Sequence, residues 1–109
     1  MFKRFKVLMV VMAIAMPLFA QTAKVRVTYY NLKGKTAMGI QTRKGICAVS
    51  PDLEKKGFKL GEYVVVEGYG KFLIADRTAK RIKNTIDIWS SKPIKNGKDV
   101  KAKVEHDND

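Results

Sequence analysis

Two aspartates interrupt short apolar runs in the second half of the chain. Asp76 closes Phe72-Leu73-Ile74-Ala75, and Asp87 lies inside Thr85-Ile86-Asp87-Ile88-Trp89, eleven residues further on. A carboxylate in such a run costs folding stability unless it is paired or opens onto solvent. Two of them on neighbouring strands point to one shared polar site. The chemistry a carboxyl supplies there is proton transfer, as a general acid when protonated and a base when ionised. Asp87 should face away from the side on which Ile86 and Ile88 pack. An acid must hold its proton near working pH, and a second carboxylate close by is one way to raise its pKa. Asp76 is the candidate neighbour, and the two would then titrate as a unit. Arg77, Lys80, Arg81 and Lys83 act in the opposite sense, favouring ionised aspartate. A structural alternative stands beside this reading, because aspartates near turns accept backbone N–H bonds.

The elements that must position these acids are short strands. Lys24 to Tyr30 alternates with period two and places Val25, Val27 and Tyr29 on one face. Asn31 to Gly45 reads as a loop, Ile46 to Val49 as a second strand, and Ser50-Pro51-Asp52 as a turn opening a short helical segment through Lys56. Tyr63 to Glu67 is a strand by its β-branched content, and Gly68-Tyr69-Gly70 is a tight connection into Phe72 to Asp76. The basic segment Arg77 to Asn84 leads to Thr85 to Trp89, and Asp99 to Val104 is the last strand. Six strands with no long helix predict an all-β fold, a small closed barrel, since closure removes the exposed edges of a small sheet.

The first twenty residues read as a signal peptide. Lys3, Arg4 and Lys6 precede the apolar run Val7 to Met16, and Ala20 offers a cleavage point. A membrane span needs about 20 apolar residues, more than this run supplies, so no span is expected after cleavage. Removing residues 1–20 leaves 19 basic and 10 acidic side chains in 89 residues, a net charge of +9. The barrel domain is expected over residues 24–104 and a disordered tail over 105–109. A basic exported product meets polyanions, namely nucleic acid, an anionic membrane or the cell wall. Charge alone does not choose among them, but few aromatics interleave with the basic residues, which argues against a specific nucleic-acid binder. Cys47 lies in the apolar run Gly45 to Val49 and reads as a buried, unreactive thiol. With one Cys and one His (His106), no transition-metal ligand set is expected, and no cofactor.

The ordered motifs from Thr28 to Trp89 resemble the three-aspartate (3D) domain, a family built as a six-stranded double-psi β-barrel. The same barrel occurs in the membrane-bound lytic transglycosylase A family, stationary-phase survival proteins and, more distantly, rare-lipoprotein-A-like proteins and expansins. Thr28-Tyr29-Tyr30 looks like the first-strand T-x-Y element, and Thr36-Ala37-Met38-Gly39 like the T-A-x-G loop. Ile46 to Pro51 stands where the family has I-A-V-D-P, and Gly61 to Gly70 is similar to its L-G-T-x-V-x-I-x-G-Y-G. Ala75-Asp76-Arg77-Thr78 matches A-x-D-T-G in part, and Ile86-Asp87-Ile88-Trp89 looks like I-D-L-Y. Two positions depart from the pattern. Ser50 replaces the first family aspartate, with Asp52 as a candidate stand-in, and the charged segment Arg77 to Arg81 replaces a Gly-Gly.

The resemblance implies a secreted or periplasmic bacterial protein that acts on peptidoglycan or another anionic wall glycan, as a monomer. Lytic transglycosylases need only one carboxyl, because the sugar's own 6-hydroxyl replaces water as nucleophile, whereas most glycosidases need two. Asp87 would be that carboxyl, with Asp76 beside it and Thr36 hydrogen-bonding the acid or a sugar hydroxyl. Tyr30, Tyr69 and Trp89 would lie against sugar faces, or else pack the barrel. Arg77 and Lys80 would hold glycan carboxylates, or else form a solvated loop. A wall-binding barrel that cleaves nothing is the alternative function.

Overall fold

The computed structural model describes residues 21–105. The expected signal peptide, and residues 106–109 of the tail expected over 105–109, lie outside the described residues; Glu105 itself is strand and pairs with Tyr63. Six strands follow in order: β1 (Thr22–Tyr30), β2 (Ile46–Val49), β3 (Tyr63–Val66), β4 (Gly70–Arg77), β5 (Thr85–Trp89) and β6 (Gly97–Glu105). One short helix, α1 (Pro51–Lys55), joins β2 to β3. The strands close into a barrel in the order β1-β5-β2-β4-β3-β6, as the all-β pattern of the sequence predicts.

The pairing is mixed. β1 runs parallel to β5, and β2 parallel to β4, while the other four contacts are antiparallel. Parallel neighbours cannot be joined by a tight hairpin, so longer connections are required. β5 separates β1 from β2, and β2 separates β4 from β5. Exchanging β1, β2 and β3 with β4, β5 and β6 leaves this strand order unchanged. The barrel is therefore two similar halves related by an approximate dyad between β2 and β5.

The core follows from alternation. On β1, Val25 and Val27 are fully buried while Lys24 and Arg26 are exposed. Cys47, Val49, Ile74, Ile86 and Ile88 join them inside, with Leu53 of α1 and Phe58 sealing one side. All four residues of β2 are buried, so this strand is covered on its outer face as well as its inner one.

Two irregularities place side chains that strict alternation would misplace. On β4, Ile74 pairs with Cys47 but Asp76 pairs with Ala48, so Ala75 is an extra residue, a bulge. Without it, Asp76 would point inward with Ile74; the bulge turns it out of the barrel. The Ala75 carbonyl accepts the Met38 N–H at 3.0 Å instead. On β6, a second shift lies opposite Arg26, where Asp99 takes φ +50°. Gly97 precedes it, and a Cβ there would meet Tyr69 Oη and Val100 Cγ2 at 2.7 Å each.

Ser50 ties the two halves together at the end of β2. It is fully buried. Its backbone N–H donates to the Thr85 carbonyl at 3.0 Å, and its Oγ accepts the Thr85 N–H at 2.9 Å. The Ser50 carbonyl also accepts the Leu53 and Glu54 N–H groups that open α1. Ser50→Ala leaves the buried Thr85 N–H without this acceptor, which costs about 1–3 kcal/mol. Urea unfolding should show that loss with an unchanged slope; an unchanged midpoint would remove Ser50 from this role.

Candidate functional site

The parallel and antiparallel registers bring four residues level on the outside of the barrel. Thr28 pairs with Asp87, Asp87 with Ala48, and Ala48 with Asp76, forming one row across β1, β5, β2 and β4. The two acids predicted to share a site do share this row, but Ala48 stands between them. Two strand spacings put their backbones roughly 10 Å apart. Under the dyad, Thr28 and Asp76 occupy equivalent places, as do Asp87 and Ala48.

Asp87 is half-buried, with Ile86 and Ile88 packed in the core on either side of it. The Thr28 hydroxyl donates to Asp87 Oδ1 at 2.6 Å. Burial raises the Asp87 pKa above the ordinary aspartate value, and the Thr28 bond opposes this without cancelling it. A second carboxylate is not what raises it. Asp87 opens into a cleft of about 230 Å³ lined also by Arg26, Thr28, Thr78, Arg81, Ile82 and Thr85.

Asp76 is engaged with backbone. Its Oδ1 accepts the Ala37 N–H at 3.0 Å and the Arg77 N–H at 2.9 Å. It thereby anchors the Thr36-Ala37-Met38-Gly39 turn to β4. Thr36 serves the same turn: its Oγ1 donates to the Ile40 carbonyl at 3.0 Å, and its N–H donates to the same carbonyl at 2.8 Å. The hydroxyl that reaches Asp87 belongs to Thr28. Tyr30 lies two residues beyond Thr28 on β1, and its buried Oη has no hydrogen-bond partner in the structure. Burial, followed by the charges of Asp76 and Asp87, pushes its pKa up. Burial and the Asp87 charge likewise push up the Cys47 thiol, which is enclosed in the core and unsuited to nucleophilic work.

Tyr69 and Trp89 meet at a different place, a cleft of about 520 Å³ shared with Phe72, Ile88, Ile94, Lys44 and Lys95. The Tyr69 hydroxyl donates to the Lys95 carbonyl at 2.7 Å, and Trp89 Nε1 donates to the Leu32 carbonyl at 2.9 Å. With their polar atoms satisfied, both rings contribute chiefly apolar surface. This cleft lies at the C-terminal end of β5, whereas Asp87 lies at its middle.

The remaining predicted residues take structural positions. The Asp52 carboxylate accepts the Asn84 N–H at 3.0 and 3.1 Å, where Asn84 holds φ +50°. Burial would raise the Asp52 pKa, but bonds from the Ser50 hydroxyl and from the Asn84, Asp52 and Leu53 N–H groups outweigh it and bring it below the ordinary value. Arg77 forms a two-pronged ion pair with Glu54 of α1, at 2.8 and 3.0 Å. Lys80 is exposed and does not line the Asp87 cleft. Arg26 and Arg81 are the cations that do. Arg26 and Thr28 are outward positions of an alternating strand, a signal present in the sequence; their neighbourhood to Asp87 depends on parallel pairing that it does not spell out.

Among the described residues, no group of three or more His, Cys, Asp or Glu side chains is arranged to hold a metal. No family model, curated protein or solved structure matches the chain. The closed barrel and the acid row are therefore the grounds for a functional reading.

The raised Asp87 pKa has a consequence for stability. The folded state binds this proton more tightly than the unfolded chain, so stability falls as pH rises from the unfolded pKa through the folded one. Asp87→Asn removes that loss while leaving an oxygen for Thr28. The variant should melt at a higher temperature than the native protein at pH 7, with the difference shrinking on acidification below the ordinary aspartate range. Equal or lower melting at pH 7 would contradict the electrostatic picture of Asp87.

Proposed function

We propose that the protein is a cell-wall-active, lytic-transglycosylase-type enzyme that cleaves peptidoglycan glycan strands, with Asp87 as its single general acid and base. The observation that carries this reading is a lone, half-buried carboxyl with a raised pKa, held by Thr28 at the wall of an open cleft. The motif resemblance supports it, as does a barrel of two exchangeable halves, the arrangement expected of a double-psi fold.

In the first half of the reaction, the protonated Asp87 gives its proton to the glycosidic oxygen as the bond from that oxygen to the anomeric carbon breaks. The 6-hydroxyl of the same sugar then bonds to the anomeric carbon, and its proton returns to Asp87. The products are a free sugar end and a 1,6-anhydro sugar, and no water is consumed. One carboxyl suffices because it is protonated at the start and again at the end. Export by residues 1–20 would place this activity in a bacterial periplasm or outside the cell.

A second reading, a wall-binding barrel without cleavage, is favoured by two specific observations. Ser50 stands at the first family aspartate, and Asp76, at the second, is bound to two backbone N–H groups. Digestion of purified sacculi, read by mass spectrometry, separates the two. Cleavage predicts anhydro-muropeptides from the native protein and at least about a hundredfold fewer from Asp87→Asn, the scale expected for losing a general acid. Binding of both proteins to sacculi without any product would favour the second reading and reject the first.

A further inference from the structure

One end of the barrel brings an apolar cleft and a set of lysines together. Strand directions alternate so that β1, β3 and β5 end there while β2, β4 and β6 begin. The connections 31–45, 67–69 and 90–96 therefore meet at that end. Together they carry six Lys and Arg side chains and a single acid, Glu67. Lys44 and Lys95 border the Trp89 cleft of about 520 Å³, and neither forms an ion pair among the described residues. Lys33 and Lys92, beside Leu32 and close to Ser90 in the chain, are exposed. Leu32 is itself 75 % exposed, more than any other large apolar side chain described. Its carbonyl accepts the Trp89 indole N–H, which holds its backbone beside the cleft.

What such a surface takes follows from what it lacks. No Asp, Glu, Asn or Gln lines the cleft. Its hydroxyls and indole N–H are already engaged, Ser90 with Lys92, Tyr69 with Lys95 and Trp89 with Leu32. A sugar would find ring faces there but few partners for its hydroxyls. An apolar body with negative charge at its edge fits both the rings and the ammonium groups. A small anionic ligand in the cleft would leave Leu32 and the outlying lysines unused, whereas a leaflet of anionic lipid covers them all. Trp and Tyr settle at the boundary of such a leaflet, and lysines reach its headgroups along their own apolar stems.

We propose that this end of the barrel is a docking surface for an anionic lipid bilayer. Leu32, Trp89 and the cleft meet the acyl boundary, and Lys33, Lys44, Lys92 and Lys95 lie among the headgroups. Apolar contact and basic charge together supply the two signals that peripheral binding needs. The inference does not rest on the glycan-cleaving reading. The Trp89 cleft shares no residue with the Asp87 cleft, which is lined from the beginning of β5 at Thr85.

Trp89 is the chain's single tryptophan, so its fluorescence reports on this end. The full chain is titrated with vesicles whose acyl chains are brominated, made of phosphatidylcholine alone or mixed equally with phosphatidylglycerol. Half-quenching of Trp89 should need at least about tenfold less of the mixed lipid. Lys44→Gln with Lys95→Gln should raise that requirement by about tenfold or more, and Leu32→Asn by about tenfold. Lys101→Gln with Lys103→Gln removes the same charge from a separate groove and should change little. Equal quenching by both lipids would overturn the inference. Equal weakening by both lysine pairs would overturn it as well, because net charge would then account for binding. Vesicle binding that leaves Trp89 unquenched would reject it by placing the contact elsewhere, residues 1–20 included. A neutral N-acetylglucosamine oligomer that shifts Trp89 emission and blocks quenching would make the cleft a sugar site and reject lipid docking.

Discussion

The barrel interior is closed to charge, and the placement of every functional group follows from that constraint. Val25, Val27, Cys47, Val49, Ile74, Ile86 and Ile88 fill the space between the strands. A carboxylate directed among them would lose its hydration with nothing to replace it. Asp87 avoids this by simple alternation between two inward isoleucines. Asp76 could not, because it shares the parity of Ile74. The extra residue at Ala75 resolves the conflict, and the carbonyl it frees becomes the acceptor for Met38. One bulge therefore turns an acid outward and fastens the long β1–β2 connection over the sheet.

The two dyad-related parallel strand pairs have used equivalent positions differently. At the β1–β5 pair, Thr28 donates to Asp87 at an open cleft. At the β4–β2 pair, Asp76 accepts two backbone N–H groups and faces Ala48 across the strands. A carboxylate bound by backbone donors in this way is an anchor. A carboxyl whose pKa burial raises, with one hydroxyl partner and access to a cleft, is suited to proton transfer. The functional asymmetry thus arises from local partners on a shared scaffold. Arginines divide the same way, with Arg77 bound to Glu54 at α1 and Arg26 and Arg81 left facing the cleft.

Much of this was legible before the structure. The six strands to within two residues at either end, the short helix from Pro51, the outward face of Asp87 and the buried Cys47 all follow from period-two alternation and from turn residues, which act locally. What was hidden depends on pairing between distant segments. Thr28 and Asp87 are 59 positions apart and meet only because β1 lies parallel to β5. The Ala75 bulge has no signature in a run as uniform as Phe72-Leu73-Ile74-Ala75. Ser50 looked like a lost acid, yet it is a buried acceptor for Thr85, and Asp52 beside it holds the positive-φ turn at Asn84. Tyr69 and Trp89 share no cleft with Asp87, because the closure of the barrel gathers them into a separate one, which their positions along the chain do not reveal.

The account turns on Asp87 holding its proton more tightly than an ordinary aspartate, for the physical reason that half of it is out of water. Titrating its side-chain carboxyl carbon by NMR in the folded protein measures this directly. The midpoint should lie above the ordinary value of about 3.9, and should rise further in Thr28→Val, which removes the one hydrogen bond that favours the ionised form. A midpoint at or below the ordinary value, or one unmoved by the loss of Thr28, would contradict the assignment of Asp87 as the working acid.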